Sequence, residues 1–431
     1  MARILICTTP SPGHMNPFRV AVKKLVERGH NAHWYTSAVY REQVREIGVT
    51  LHPIEKAVDL AGRRKEEVYP QLKGLTGLKD FIGSWKYLFM DNALPTLDDL
   101  LTLHKTIQAD VILSDETSFG AGFFHEKTRV PWVMVSSSIY FYRSRDTAPL
   151  GLGMLPNNTP IGRLRNRALA LMTDQVILRS LRLYATTTRQ KAGLKPLAGG
   201  VLQNVTVKPT RYMLCTIPSF EYPRSDMVPN TYFVGALLDE PSTDYTPPAW
   251  WHSLNSHWPV IHVTQGTVSN DAHRLLVPAI KGLADQDMHV VVTTGGPDAK
   301  AIGIEALPSN VNVEAFVPYR VLMERASVML TNGGFGGVQS ALSSGIPVIV
   351  AGATEEKPDV AAHVEWAGVG INLRTQQPTP DALRTAVEQV LTTPRYKERA
   401  QALQREYRQY NAPELIADHV DTLLKGLVST R

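Results

Sequence analysis

A histidine at position 14 and an aspartate at position 115 are the first side chains in this sequence placed to do acid–base chemistry. His14 follows the apolar run Ala2-Arg-Ile-Leu-Ile-Cys-Thr8, inside Thr9-Pro-Ser-Pro-Gly-His-Met-Asn-Pro17. An imidazole titrates near neutral pH and can take the proton of a hydroxyl as that hydroxyl attacks. Asp115 ends a second apolar run, Ala109-Asp-Val-Ile-Leu-Ser-Asp115. A carboxylate accepting the imidazole Nδ1–H would fix the tautomer and stabilise the imidazolium. Each residue also has a bland reading: His14 can simply fix a turn, and Asp115 can cap the helix after it. Glu116 is a second candidate for the histidine's partner.

A different chemistry is suggested by Thr331-Asn-Gly-Gly-Phe-Gly-Gly-Val-Gln-Ser340. A short apolar strand turns through glycines into a helix that stops at Gly345. Such a turn offers a diphosphate close backbone N–H groups and the positive end of a helix. The bland alternative is a glycine-rich turn that only eases helix–strand packing. Asp285-Gln-Asp287 looks like a metal-binding pair, but it precedes a strand, at the edge opposite the one where open sheets bind ligands. No His/Cys/carboxylate spacing suggests a metal, so none is expected.

These residues need a frame to hold them. Residues 3–8 and 31–36 read as strands joined by a helix with Phe18, Ala21, Val22, Leu25 and Val26 on one stripe. Asn16 is its expected N-cap, Pro17 its first residue and Gly29 its C-cap. A strand–helix–strand start argues for an open parallel sheet. After a proline-rich stretch the rhythm resumes, with strands at 260–264, 289–294, 311–313, 327–331, 347–351 and 370–373. The expected fold is therefore α/β, with two doubly wound Rossmann-like domains. The expected boundaries are 1–216, a linker at 217–248, a second domain at 249–410, and a terminal helix at 411–431 that packs back on the first domain. Aromatic insertions interrupt the first half: Phe81, Trp85 and Phe89, and later Tyr140. These four are the candidates for an apolar acceptor pocket, although aromatic residues at such spacings are more often core.

The bulk properties narrow the classes. The chain has 431 residues, 43% apolar and 20% charged, an ordinary soluble balance able to build two cores. A net charge of +5 and arginines at 163, 165, 167, 179 and 182 without interleaved aromatics argue against a nucleic-acid partner. Cys7 and Cys215 lie far apart in apolar runs and read as buried thiols in a reducing compartment. No apolar run reaches the ~18 residues of a membrane span, and a cytoplasmic protein is expected.

Taken jointly, the Pro12-Gly-His14 turn after the first strand, the late glycine loop and the two doubly wound halves resemble the family 1 glycosyltransferases, especially bacterial and fungal enzymes acting on natural products such as macrolides. The resemblance covers essentially the whole chain and implies the GT-B architecture, two domains facing a central cleft. It implies that His14 is the general base, that Asp115 is its partner, and that inversion occurs at the anomeric carbon without a metal or cofactor. The partners implied are a nucleotide sugar as co-substrate and an apolar small-molecule acceptor. The donor site implied by the family's signature comprises Gly266, Thr267, Phe316 against the base, the Val317 backbone, Asn332, Gly334, Gly336, Gly337, Val338, and Glu356 with Lys357 at the sugar. Asn332 stands where relatives carry histidine, Ser340 where they carry a ribose-binding glutamate, and Glu356-Lys357 where they carry Asp-Gln. On this alignment Ser340→Glu should tighten donor binding. By family frequency the donor is uridine diphosphate glucose. A nucleotide-sugar epimerase or hydrolase, or a non-catalytic nucleotide-sugar-binding partner protein, are the alternatives.

Overall fold

A computed structural model of the chain describes all residues except 198–199, 201–204, 239–244, 256, 267–270, 297–301 and 429–431, and the side chains of 427 and 428. Its first sheet has seven parallel strands: β1 (Arg3–Cys7), β2 (Asn31–Thr36), β3 (Thr50–Pro53), β4 (Val111–Ser114), β5 (Trp132–Ser136), β6 (Arg211–Leu214) and β7 (Thr231–Phe233). Their spatial order is β3-β2-β1-β4-β5-β6-β7, so the chain changes direction across the sheet between β1 and β4. Helices α1 (Pro12–Glu27), α2 (Arg41–Glu46), α3 (Lys65–Val68), α4 (Gly77–Ser84), α5 (Asp91–Ile107), α6 (Phe119–Thr128), α7 (Pro160–Met172) and α8 (Arg179–Lys191) belong to this half. A π-helical turn at Trp85–Met90 joins α4 to α5.

The second sheet has six parallel strands: β8 (Val260–Thr264), β9 (His289–Thr293), β10 (Val311–Glu314), β11 (Val328–Thr331), β12 (Val348–Val350) and β13 (Gly370–Asn372). Their order, β10-β9-β8-β11-β12-β13, repeats the first sheet's logic with its switch between β8 and β11. Helices α9 (Leu276–Leu283), α10 (Tyr319–Met323), α11 (Phe335–Ser343), α12 (Lys357–Ala367), α13 (Pro380–Thr392) and α14 (Pro394–Tyr407) complete it. Strands such as Val-Ile-Val at 348–350 are buried on both faces, which is why they read as continuous apolar runs.

Three expectations need correction. Helix α1 starts four residues before Asn16: Ser11 is the extended N-cap, Pro12 opens the helix and Pro17 lies inside it. Pro12 suits the first helical position as well as Pro17 would, and a proline near the start removes one helical hydrogen bond only. His14 therefore sits on the first turn of a helix, not on a free loop. The segment 217–248 does not behave as a linker where it is described. Ile217, Phe220 and Tyr222 are buried, and β7 pairs with β6 as the sheet's edge. Pro218 and Pro229 fall in the turns between β6 and β7, where a missing N–H costs no ladder bond. Residues 239–244 of that segment lie outside the described residues. Strands β3, β6 and β7 also have no counterpart in the sequence reading.

The last helix, α15 (Ala412–Val428), packs against α1. Ile416, Ala417 and Val420 join Phe18, Leu25 and Trp34 in one buried cluster. Arg28 at the end of α1 binds Glu414, Asp418 (2.7 Å) and Asp421 (2.9 Å) on α15.

Candidate active site

The two switch points put the chemistry-bearing residues on one cleft. β1 and β4 are neighbours, with Cys7 opposite Ser114, so the turns leaving them are adjacent. His14 Nδ1 lies 3.4 Å from Asp115 Oδ2, the spacing of an ion pair rather than of an aligned hydrogen bond. Asp115 is fully buried. Its Oδ1 accepts the N–H groups of Thr117 (2.9 Å) and Ser118 (2.8 Å) and the Thr117 hydroxyl (2.9 Å), and its Oδ2 accepts Thr9 N–H (2.6 Å). The carboxylate thus closes the turn ahead of α6, whose N-cap is Ser118, rather than capping that helix, and through Thr9 it also ties down the turn that leads into the first turn of α1, where His14 sits.

The electrostatics follow from this. Burial acts to lower the His14 pKa, but Asp115, Glu116 and Glu356 outweigh it and hold the imidazole up to about 9. Burial acts to raise Asp115, but His14 and the surrounding donors bring it down to about 2. Glu116 is pushed up to about 7, first by burial and then by Asp115. His14, Asp115 and Glu116 are the one group among the described residues whose ligand-type atoms lie within 4.8 Å of one another. Asp115 already accepts four donors, so the trio is a poor metal cradle. Asp285 and Asp287 lie in the turn entering β9, at the amino end of the second sheet.

Across the cleft, β8 and β11 end side by side, with Thr264 opposite Thr331. Asn332 Nδ2 donates to the Gln265 carbonyl (2.6 Å), and its Oδ1 accepts Gly334 N–H (3.3 Å). It therefore pins the two loops together instead of standing free. Gly334 is the N-cap of α11, and the first N–H groups of that helix, on Phe335, Gly336 and Gly337, have no helical carbonyl ahead of them. A Cβ at Gly336 would meet nothing within 4 Å, whereas one at Gly337 would lie 3.1 Å from Met329 Cε and 3.4 Å from Tyr319. Val338 is buried in the core. Gly266 has φ +70°, and its N–H donates to Thr264 Oγ1 (3.2 Å). Thr267 lies outside the described residues. A pocket lined by Gln265, Arg274, Asn332, Thr354 and Lys357 opens between these loops. The reading of the sequence missed Gln265 and Arg274.

The ends of this site differ in character. Phe316 follows the edge strand β10 and is 66% exposed, free to lie against a flat ring, while the Val317 side chain is fully buried. Glu356 is the N-cap of α12, and Lys357, its first residue, pairs with Glu355. Burial raises the Glu356 pKa, and His14 is among the charges it feels across the cleft. Ser340 is 3% exposed on the inner side of α11. A carboxylate there would enter the core, so the expected gain from Ser340→Glu loses its geometric basis.

Of the four aromatic candidates, three come together and one does not. Phe81, Trp85 and Phe89 form a chain of ring contacts on and beside the π-helical turn (6.0 and 5.5 Å between centroids). Phe119 and Phe141 stack on Trp85 at 5.7 and 6.1 Å. Tyr140 points elsewhere. Its hydroxyl accepts Val228 N–H (2.8 Å), and its ring packs on Tyr212 beneath Arg224. Phe119 and Phe141 leave different strand ends, so no local pattern marks them as neighbours.

Comparison with known proteins supplies the family. Residues 278–423 match the model described as Erythromycin biosynthesis protein CIII-like, C-terminal domain. The 4'-demethylrebeccamycin synthase of Lentzea aerocolonigenes is 45% identical over 427 residues, 99% of this chain and 100% of the relative. UDP-glycosyltransferase 2 of Phaeomoniella chlamydospora is 31% identical over 97% of this chain and 95% of its own length. Among solved structures, the glycotransferase of kitacinnamycin superposes with a TM-score of 0.76 at 23% identity, covering 98% of this chain and 99% of that one. CalG4, the calicheamicin glycosyltransferase, gives 0.76 at 20% identity, with 99% and 98% covered.

Proposed function

Because this chain belongs to the family 1 natural-product glycosyltransferases and has their GT-B fold, we propose that it transfers glucose from uridine diphosphate glucose to a hydroxyl of an apolar small molecule, with inversion. The observation that carries the reading is the ion-pair contact of His14 with buried Asp115, facing Glu356 across the cleft. Relatives named as UDP-glycosyltransferases and UDP-glucosyltransferases support the donor. Names of that kind also favour transfer over the epimerase, hydrolase and non-catalytic readings.

The acceptor enters beside Trp85, Phe89 and Phe119, whose rings remove an apolar body from water. His14 Nε2 takes the hydroxyl proton as the oxygen attacks the anomeric carbon from the face opposite the nucleotide. The new C–O bond forms as the bond to the diphosphate oxygen breaks, and the leaving diphosphate keeps the electron pair. Its growing charge meets the N-terminus of α11, with Arg274 and Lys357 in the same pocket. Phe316 stacks on the base, and Glu356 receives sugar hydroxyls. No metal or other cofactor takes part, in a protein that works in the cytoplasm. No helix of the described residues is long and apolar enough to cross a membrane.

His14→Ala should lower transfer by about 10²–10⁴-fold, the usual worth of a general base, with nucleotide binding kept. Products are read by mass spectrometry from a panel of donors against aromatic and polyketide acceptors. Undiminished turnover in the variant sinks the base assignment. A panel in which another nucleotide sugar is used better than uridine diphosphate glucose sinks the donor assignment.

A further inference from the structure

Three side chains, not two, meet at the proton-handling end of the cleft. Asp115 has both oxygens engaged by neighbouring N–H and O–H donors. Glu116 is almost as deeply buried, 5% exposed, but among the described residues its carboxylate receives a single hydrogen bond from another residue, Ser137 N–H to Oε2 at 3.3 Å. A buried carboxylate so thinly supported needs either a proton or a cation beside it. Two titratable groups on β6 and just after it, Tyr212 and Cys215, face Glu116, and burial keeps both neutral. On the cleft side, Glu356 faces His14 from the start of α12, and Lys357 is paired with Glu355. Among the described residues, the imidazolium of His14 is the cation placed to answer Glu116.

We propose that Glu116 is a positioning residue that acts through His14: its carboxylate holds a proton on the imidazole beyond what Asp115 holds, and so sets the pH at which His14 becomes free to act as a base. The inference rests on the reading of His14 as the base. Its chemical sense is that Asp115, bound up in the β1–α1 turn, orients the ring, while Glu116 tunes its charge. The free enzyme then keeps most His14 protonated at neutral pH, and raising the pH releases the base.

Glu116→Gln keeps the shape and the Ser137 contact but removes the charge. The rising limb of kcat/KM against pH should move down by about one unit, giving roughly tenfold more transfer below the original limb. The His14 ring resonance, titrated by NMR in the free protein, should move the same way without reference to activity. Glu116→Asp, with the carboxylate drawn back by one methylene, should give a smaller shift in the same direction, and serves if the glutamine variant does not fold. An unmoved limb and an unmoved imidazole titration overturn the proposal, as does a uniform loss of transfer at every pH with no shift. Failure of the underlying reading looks different: His14→Ala would then keep its transfer activity, whatever the imidazole titration does in Glu116→Gln.

Discussion

At the scale of single residues, His14 has a pKa held up to about 9, and this carries a signed expectation. The base form is neutral imidazole, so kcat/KM should rise with pH through neutrality and level off near pH 9. A flat profile from pH 6 to 9 would count against His14 as the base. Asp115 works in the other sense. Its depressed pKa means that its contribution to stability is present above the ordinary carboxylate range and fades only as pH falls toward about 2. Asp115→Asn should reduce transfer by roughly 10²-fold or more through loss of the negative charge beside the imidazole, and steady-state kinetics across pH will show it. These two residues could be read from the sequence because each follows a strand-like run, and strand ends are where open sheets do chemistry. Asn332 could be named but not understood: its amide is occupied by the carbonyl of Gln265, 67 positions away. Tyr140 lines a different cavity from the Trp85 cluster, together with Ile139, Leu150 and Met154, and its hydroxyl is committed to the backbone of Val228.

At the scale of elements, the strongly periodic pieces were legible and the edges were not. Both switch-point strand pairs follow from apolar runs, while β6, β7 and the true start of α1 depended on tertiary partners. The loops after β11 and β12 illustrate how little room such elements leave. A Cβ on Gly352 would lie 1.9 Å from the backbone oxygen of Asn332, an overlap that a flexible side chain cannot relieve. Gly352→Ala should weaken nucleotide binding at least tenfold and lower the melting temperature, as read by calorimetry and thermal unfolding. An unchanged affinity would place the diphosphate elsewhere. In the first half, Trp85→Ala removes the ring on which Phe81, Phe89, Phe119 and Phe141 converge. Stability should fall by about 2–4 kcal/mol in denaturant titrations, with a higher KM for apolar acceptors and an unaltered KM for donor.

At the scale of the molecule, the halves meet through buried charge. Glu221, after β6, accepts from Arg224 (2.6 Å) and contacts His363 Nε2 on α12 (2.9 Å), whose ring stacks on Tyr222 at 3.7 Å. Glu221→Ala should cost about 3–5 kcal/mol of unfolding free energy, because Arg224 is left buried without its carboxylate. Asp359 on α12 accepts the N–H groups of Gly151 (2.5 Å) and Gly153 (3.2 Å) from the loop after β5. The α12 helix is thereby tied to the first half. None of this was visible in the sequence, where the prolines of 217–248 suggested a loose connection. Helix α15 has a consequence of another kind. The surface of α1 that it covers, on the helix bearing His14, is made first and finished last, since residues 412–428 leave the ribosome only after the whole second sheet. The first half must wait, partly uncovered, for the second half to be synthesised. A chimera joining this chain's first half to a relative's second half should therefore fold only if residues 412–428 are taken from the same parent as α1.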